Sequence, residues 1–294
     1  MTDLIGFDYE TNLIGPWNVV PDPVCLSVAD VMGDTSEGDN WEIDLMTRAD
    51  QDLDDGIWSI INGAEEGRTL VAHKSSFDLA VACKRDARRL PHVFDLLIQG
   101  RIKDTLIREK ILDLAEGGQI GLKLMPSGQT RQVDYTLARL AKTYLGVDLS
   151  EDKKADDAWR LNYWALHNVE LADWPQEAID YAIMDSVYAV RIYEAQEDRR
   201  YRIANRIGQD PLERIEDFRT LADFCLALLT MPGFRVDHAA HDKIMAMLRK
   251  ELADSKFPRL IEGGFLTPAK PPVPYANGAI DKVTGQPKMK KAQK

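Results

Sequence analysis

From Leu4 to Thr11 the chain reads Leu-Ile-Gly-Phe-Asp-Tyr-Glu-Thr, an apolar run that turns to alternation near its end, which predicts a strand largely withdrawn from water. Two more strands are predicted at Val24–Ala29 and Trp41–Leu45, on either side of the turn-rich segment Gly33–Asn40. Helical spacing begins at Leu53–Ala64, and Thr69–Ala72 is a short apolar strand bounded by polar residues. Ser75 starts a helix that runs to about Leu90, Val93–Asp95 reads as a last strand, and later segments look helical. Strands first, then a β-α-β unit, then helices predict an α/β fold: a mixed five-stranded sheet flanked by helices.

Further along, the glycine-rich segment Gly117–Gly128 is expected to be a loop or small hairpin, and Tyr135–Leu145 a helix stopped by Gly146. Ser150–Asp157 is polar and expected to be exposed. Asp173 and Pro175 open a long helix from Gln176 to about Arg199. Two more helices, Leu212–Leu229 and Asp237–Lys256, suggest a C-terminal helical appendage. Beyond Gly263 the segment with Pro268, Pro271, Pro272 and Pro274 and the lysine-rich end cannot bury much apolar surface. The expected organisation is a main domain over residues 1–205, the appendage over 206–262 and an extended tail over 263–294.

Composition narrows the class. A chain of 294 residues, 45% hydrophobic and 29% charged, is ordinary for a folded soluble protein. No apolar run approaches the roughly 20 residues a membrane span needs, and the first residues lack the features of a signal peptide, so no membrane partner is expected and the protein should stay in the cytoplasm. Cys25, Cys83 and Cys225 are odd in number and lie in apolar contexts, which suits free thiols rather than a disulfide scaffold or zinc finger. The net charge of −11 by itself argues against a nucleic-acid binder, whose affinity comes largely from neutralising phosphates. Basic residues are nonetheless clustered locally, as in Lys84-Arg85 and Arg199-Arg200, and such runs are more often solvated helix faces than binding patches.

The candidate chemistry begins on the first strand. Asp8 and Glu10 alternate with Phe7 and Tyr9, so both carboxylates leave the same side of an otherwise apolar strand. Their mutual repulsion and lost hydration would be relieved by a divalent cation, and hard oxygen donors suit Mg²⁺ or Mn²⁺. An isolated pair of this kind is more often a solvent-facing feature of an edge strand. Asp78 falls in the first turn of the helix opened by Ser75, where Ser75-x-x-Asp78 also resembles a capping box. Tyr181 and Asp185, four apart, share one face of the long helix. His238 and His241 are three apart without nearby ligands, so a surface pair is favoured over zinc.

In this order, the three segments resemble the DEDD exonuclease superfamily in its tyrosine-containing branch. Within it they resemble the 3′–5′ proofreading domain of bacterial and phage family A DNA polymerases, over about residues 1–200. The resemblance implies a ribonuclease H-like fold and hydrolysis of the terminal phosphodiester at the 3′ end of single-stranded or frayed DNA, in a bacterial or phage-infected cell. It also implies two divalent cations, Mg²⁺ or Mn²⁺. Asp8, Glu10 and Asp185 would hold the tighter ion, Asp8 would bridge to the second, and Asp78 would act on that second ion directly or through water. Tyr181 would orient the attacking water. The histidine branch would place a histidine five residues before the last aspartate, where this chain has Asp180.

The match has departures and additions. Lys74, preceded by His73, stands where the family commonly has asparagine, so Lys74 either contacts a phosphate or points to solvent. Thr11 and Phe77 flank the carboxylates and by analogy seat the terminal nucleotide; ordinary packing is the alternative. Lys153, Lys154 and Arg160, with Arg199 and Arg200, are candidate DNA contacts. Leu221–Asp237 resembles the junction between exonuclease domain and polymerase body, yet palm and fingers signatures are absent. The chain is therefore expected to be either the amino-terminal part of a polymerase or a separate exonuclease subunit. Two rivals stand beside this reading: an RNase D-like enzyme that trims RNA 3′ ends, and a non-catalytic module that holds DNA for a polymerase.

Overall fold

The computed structural model describes residues 4–15, 18–31, 41–50, 52–124, 130–149, 159–231 and 238–251. Its central strand is β1, Leu4–Thr11, with β2 (Pro23–Val31) antiparallel on one side and β4 (Thr69–Ala72) parallel on the other. β3 (Trp41–Thr47) extends the antiparallel half and β5 (Ile102–Asp104) the parallel half, giving the order β3-β2-β1-β4-β5. This is the mixed ribonuclease H-like sheet expected from the sequence.

Alternation along β1 builds two cores at once. Ile5, Phe7 and Tyr9 face one side and are buried with Leu26, Val28, residues of α1 (Leu53–Glu65), α2 (Ser75–Arg85) and α3 (Arg89–Ile98), and Phe224. Leu4 faces the other, against Val190 and Tyr193 of α6, Gln176–Ile207. Gly6 lies on that second side. A Cβ there would sit 2.4 Å from the Ser186 carbonyl oxygen and 2.7 Å from Val190 Cγ2, so only glycine allows α6 to cross β1 this closely.

Several elements depart from the sequence reading. Val93–Asp95 is helical, inside α3, and the fifth strand is Ile102–Asp104, whose three residues are too few to show a period. The helix opened by Ser75 stops at Arg85, and α3 starts afresh at Arg89 with Pro91 in its first turn, where proline is tolerated. α4, Thr105–Ala115, continues directly from β5. The glycine-rich segment carries a hairpin, β6 (Leu122–Leu124) with β7 (Thr130–Gln132), ahead of α5, Leu137–Tyr144. α6 continues to Ile207 because nothing interrupts it before Gly208, whose φ of 77° closes the helix.

Two compact units divide the chain at Gly233 and Phe234. α7, Leu212–Thr230, placed by the sequence in an appendage, lies within the first. It turns Leu212, Glu216, Thr220 and Phe224 inward and is held by Lys103 to Asp217 at 2.6 Å and by buried Arg108 to Glu216 at 2.8 Å. The second unit contains α8, His238–Glu251, while the proline- and lysine-rich end lies outside the described residues. The side chains of His238 and His241 lie outside them too. Cys25 and Cys83 are buried free thiols and Cys225 is a partly buried one. Among the described residues no helix is long and apolar enough to cross a membrane.

Candidate active site

Asp8 and Glu10 leave β1 on the face that α6 crosses. Because Gly6 lets Ser186 approach the strand, the preceding residue, Asp185, comes to lie beside both. One carboxylate oxygen from each of Asp8, Glu10 and Asp185 falls within 4.8 Å of the others, and all three side chains are half-buried. Residues some 175 positions apart thus form one group of hard oxygen donors, the donor type that suits Mg²⁺ or Mn²⁺. The pairing of β1 with β2 shifts between Glu10 and Thr11, a bulge that ends the regular ladder beside this group.

Asp78 does not form part of that group of three. It is 2% exposed, and its Oδ1 accepts the amide of Tyr9, the residue between the two strand carboxylates, at 3.2 Å. Burial pushes the Asp78 carboxyl well above the usual carboxylate range, the charge of Asp8 pushes it further, and the Tyr9 amide pulls it back. The capping reading of Asp78 is corrected by another aspartate. Asp104, at the end of β5, accepts the amides of Lys74 (3.3 Å) and Ser75 (2.8 Å) and the Ser75 hydroxyl (3.0 Å) at the start of α2. The same carboxylate caps α4 through the amides of Leu106 and Ile107 at 2.9 and 3.1 Å. No sequence signal within α2 points to a cap supplied from a strand 29 residues away.

Tyr181 is half-buried one turn before Asp185 on α6. Its ring lies 6.2 Å from that of Tyr163, in an apolar cluster that also contains Val24, Cys25, Trp174, Ala178 and Ala182. Cys25 pairs with Glu10 across β1 and β2, so this cluster adjoins Glu10. Burial drives the Tyr163 phenol far above its ordinary value, with Glu10 the next contribution.

The remaining candidates are scattered in character. Thr11 is half-buried and its hydroxyl donates to the Asn12 carbonyl at 2.9 Å. Phe77 is partly buried and packs on the main core. His73 Nδ1 lies 2.8 Å from Thr105 Oγ1. Lys74 is exposed and, among the described residues, is the one non-glycine residue with positive φ, 69°. Asparagine tolerates that left-handed conformation far better than lysine does, which gives a backbone reason for the asparagine expected there. Lys153, Lys154 and the side chain of Arg160 lie outside the described residues.

Arg199 and Arg200 are corrected as DNA contacts. Arg199 is engaged by Glu109, Asp113 and Glu116 at 2.6–2.8 Å and Arg200 by Glu197 and Asp210, so their charge is spent within the fold. The cavity of about 450 Å³ that Arg199 helps to line, with Tyr135, Arg139 and Tyr144, is walled by Glu109, Asp113 and Glu116 and not by the group on β1.

A family model described as 3′–5′ exonuclease matches residues 3–198, from β1 through most of α6. Among solved structures, Brucella melitensis NrnC is similar at 14% identity with a TM-score of 0.48, over 81% of this chain and 90% of that one. No curated protein matches the chain.

Proposed function

Since the chain belongs to this 3′–5′ exonuclease family, we propose that it hydrolyses the terminal phosphodiester of single-stranded or frayed DNA from the 3′ end, releasing 5′-nucleoside monophosphates. We place it in the tyrosine-containing DEDD branch, as the amino-terminal part or a separate subunit of a bacterial or phage family A DNA polymerase. The observation that carries the reading is the convergence of Asp8 and Glu10 of β1 with Asp185 of α6 within 4.8 Å, one helical turn from Tyr181.

In this reading Asp8, Glu10 and Asp185 would hold one divalent cation, and Asp8 with Asp78 a second. Bound Mg²⁺ or Mn²⁺ would neutralise the scissile phosphate and the charge that develops on it. The chain's own residues do the rest. Tyr181 acts by orienting the attacking water through its hydroxyl, since a neutral phenol is a poor general base. The water oxygen bonds to phosphorus, the bond to the 3′ oxygen of the penultimate nucleotide breaks, and that oxygen takes a proton to become the new 3′ hydroxyl. Asp78 is fixed by the Tyr9 amide, within electrostatic reach of Asp8. Thr11, Phe77, His73 and Lys74 surround the position of the terminal nucleotide, with Lys74 the cationic member of the set.

The test is degradation of 5′-labelled single-stranded oligonucleotides of DNA and of RNA by the purified chain, with Mg²⁺ and with chelator. Stepwise shortening of DNA from the 3′ end, abolished by chelator, is expected. Activity on RNA alone would move the substrate to that of an RNase D-like enzyme, and binding without cleavage would leave a DNA-holding module.

A further inference from the structure

Beside Tyr181 lies a buried phenol that the chemistry above does not use. Tyr163 opens the 3₁₀ turn Tyr163–Leu166, is 1% exposed, and donates its hydroxyl hydrogen to the carbonyl oxygen of Ala178 at 2.6 Å. Ala178 belongs to the first turn of α6, three residues before Tyr181 and seven before Asp185. The Tyr163 and Tyr181 rings meet at 6.2 Å between centroids, tilted by 54°. Trp159 and Trp174 hold Tyr163 in turn, at 6.0 and 5.9 Å. One side chain thus touches the Tyr181 ring directly and the backbone that carries it.

Bulk alone does not account for this residue. A phenylalanine would fill the same apolar volume, whereas the hydroxyl ties the 3₁₀ turn to one specific carbonyl at the start of α6. A half-buried tyrosine also has rotamers to lose, and a tilted aromatic neighbour restricts them at contact distance.

We propose that Tyr163 is a positioning residue for Tyr181: its hydroxyl fixes the first turn of α6 and its ring fixes the orientation of the Tyr181 phenol over the carboxylate group. This rests on the nuclease reading, in which Tyr181 orients water. Misplacement of an orienting group by a fraction of an ångström lowers turnover without removing substrate contacts, so the loss should appear in kcat and not in KM.

The experiment compares wild type, Tyr163→Phe, Tyr181→Phe and the double variant on a 5′-labelled single-stranded oligonucleotide with Mg²⁺, alongside melting curves. The Cζ resonance of ¹³C-labelled tyrosine at position 181 is read in the metal-free proteins. Tyr163→Phe should lower kcat about tenfold, leave KM within about twofold, and shift or broaden the Tyr181 resonance. Added to Tyr181→Phe, it should cost no further kcat, because its contribution passes through the missing hydroxyl. Wild-type kcat in Tyr163→Phe, an unmoved Tyr181 resonance, or a tenfold loss that persists in the Tyr181→Phe background would overturn the proposal. The last outcome is also what general destabilisation produces, so the double variant separates the two. A wild type inactive on DNA and RNA alike would remove the nuclease reading and this role together. An active wild type with an unaffected Tyr163→Phe removes the role alone.

Discussion

Asp104, which caps the first turn of α2, and Asp78, which belongs to it, are both almost wholly buried, at 1% and 2% exposure. Burial raises the pKa of each. Their neighbours differ. At Asp104 the next contributions are hydrogen bonds from Ile107, Ser75 and Lys74, all of which favour the charged form. At Asp78 the next contribution is the like charge of Asp8. The β5–α4 corner satisfies its carboxylate with amides and a hydroxyl, and that carboxylate ties two helices to the sheet. The β1–α2 corner leaves its carboxylate in the field of another, an arrangement that costs stability unless something positive arrives. A buried acid is therefore diagnostic of a ligand site only when its surroundings are known.

The sharpest break of this comparison is Asp8→Ala. It should lower Mg²⁺-dependent hydrolysis on the order of a thousandfold or more while the protein stays folded, and retained activity on a labelled strand would remove Asp8 from the proposed centre. Asp104→Ala should do the reverse. It strips five hydrogen bonds of their acceptor and should lower the unfolding free energy by about 2–4 kcal/mol in urea titrations. A loss well below 1 kcal/mol would show that the two aspartates are not so different.

The third test is pH. A carboxyl whose pKa is raised on folding stabilises the fold fully below its unfolded value, near 4, and that contribution is lost as pH rises through the higher folded value. In chelator, wild type should accordingly lose stability as pH climbs above about 4, Asp78→Asn should flatten that limb, and Mn²⁺ should flatten it for wild type. Equal slopes for wild type and Asp78→Asn in chelator would count against the like-charge account. Smallest is Lys74→Asn, which eases the left-handed backbone at φ 69° and should raise the melting temperature by an amount equivalent to about 0.5–1 kcal/mol. An unchanged melting temperature would mean that Asp104 already holds this turn without strain.

Much of this contrast is legible in the chain. Side-chain alternation places Asp8 and Glu10 on one face, and helical spacing places Tyr181 with Asp185, because both depend on local geometry. β1 and β4 have the bounds their patterns predict, since Leu4–Thr11 and Thr69–Ala72 are apolar runs flanked by polar residues. What escapes depends on distant partners. The cap of α2 comes from Asp104, and the charges of Arg199 are consumed by acids 83 to 90 residues earlier. α7 reads as part of a C-terminal appendage until Lys103 and Arg108 are seen to grip it. Val93–Asp95 reads as a strand, though it is helical, because a short apolar segment fits either period.

Gly6 carries no functional group, yet it governs the spacing between β1 and α6 on which the grouping of Asp8, Glu10 and Asp185 depends. Even one methyl at that position would act as a shim, prising the helix off the sheet and drawing the third acid away from the other two. In the proposed centre, dication affinity would thus be a property of backbone clearance as much as of ligand identity, and a variant with every acidic side chain intact would still be blind to metal.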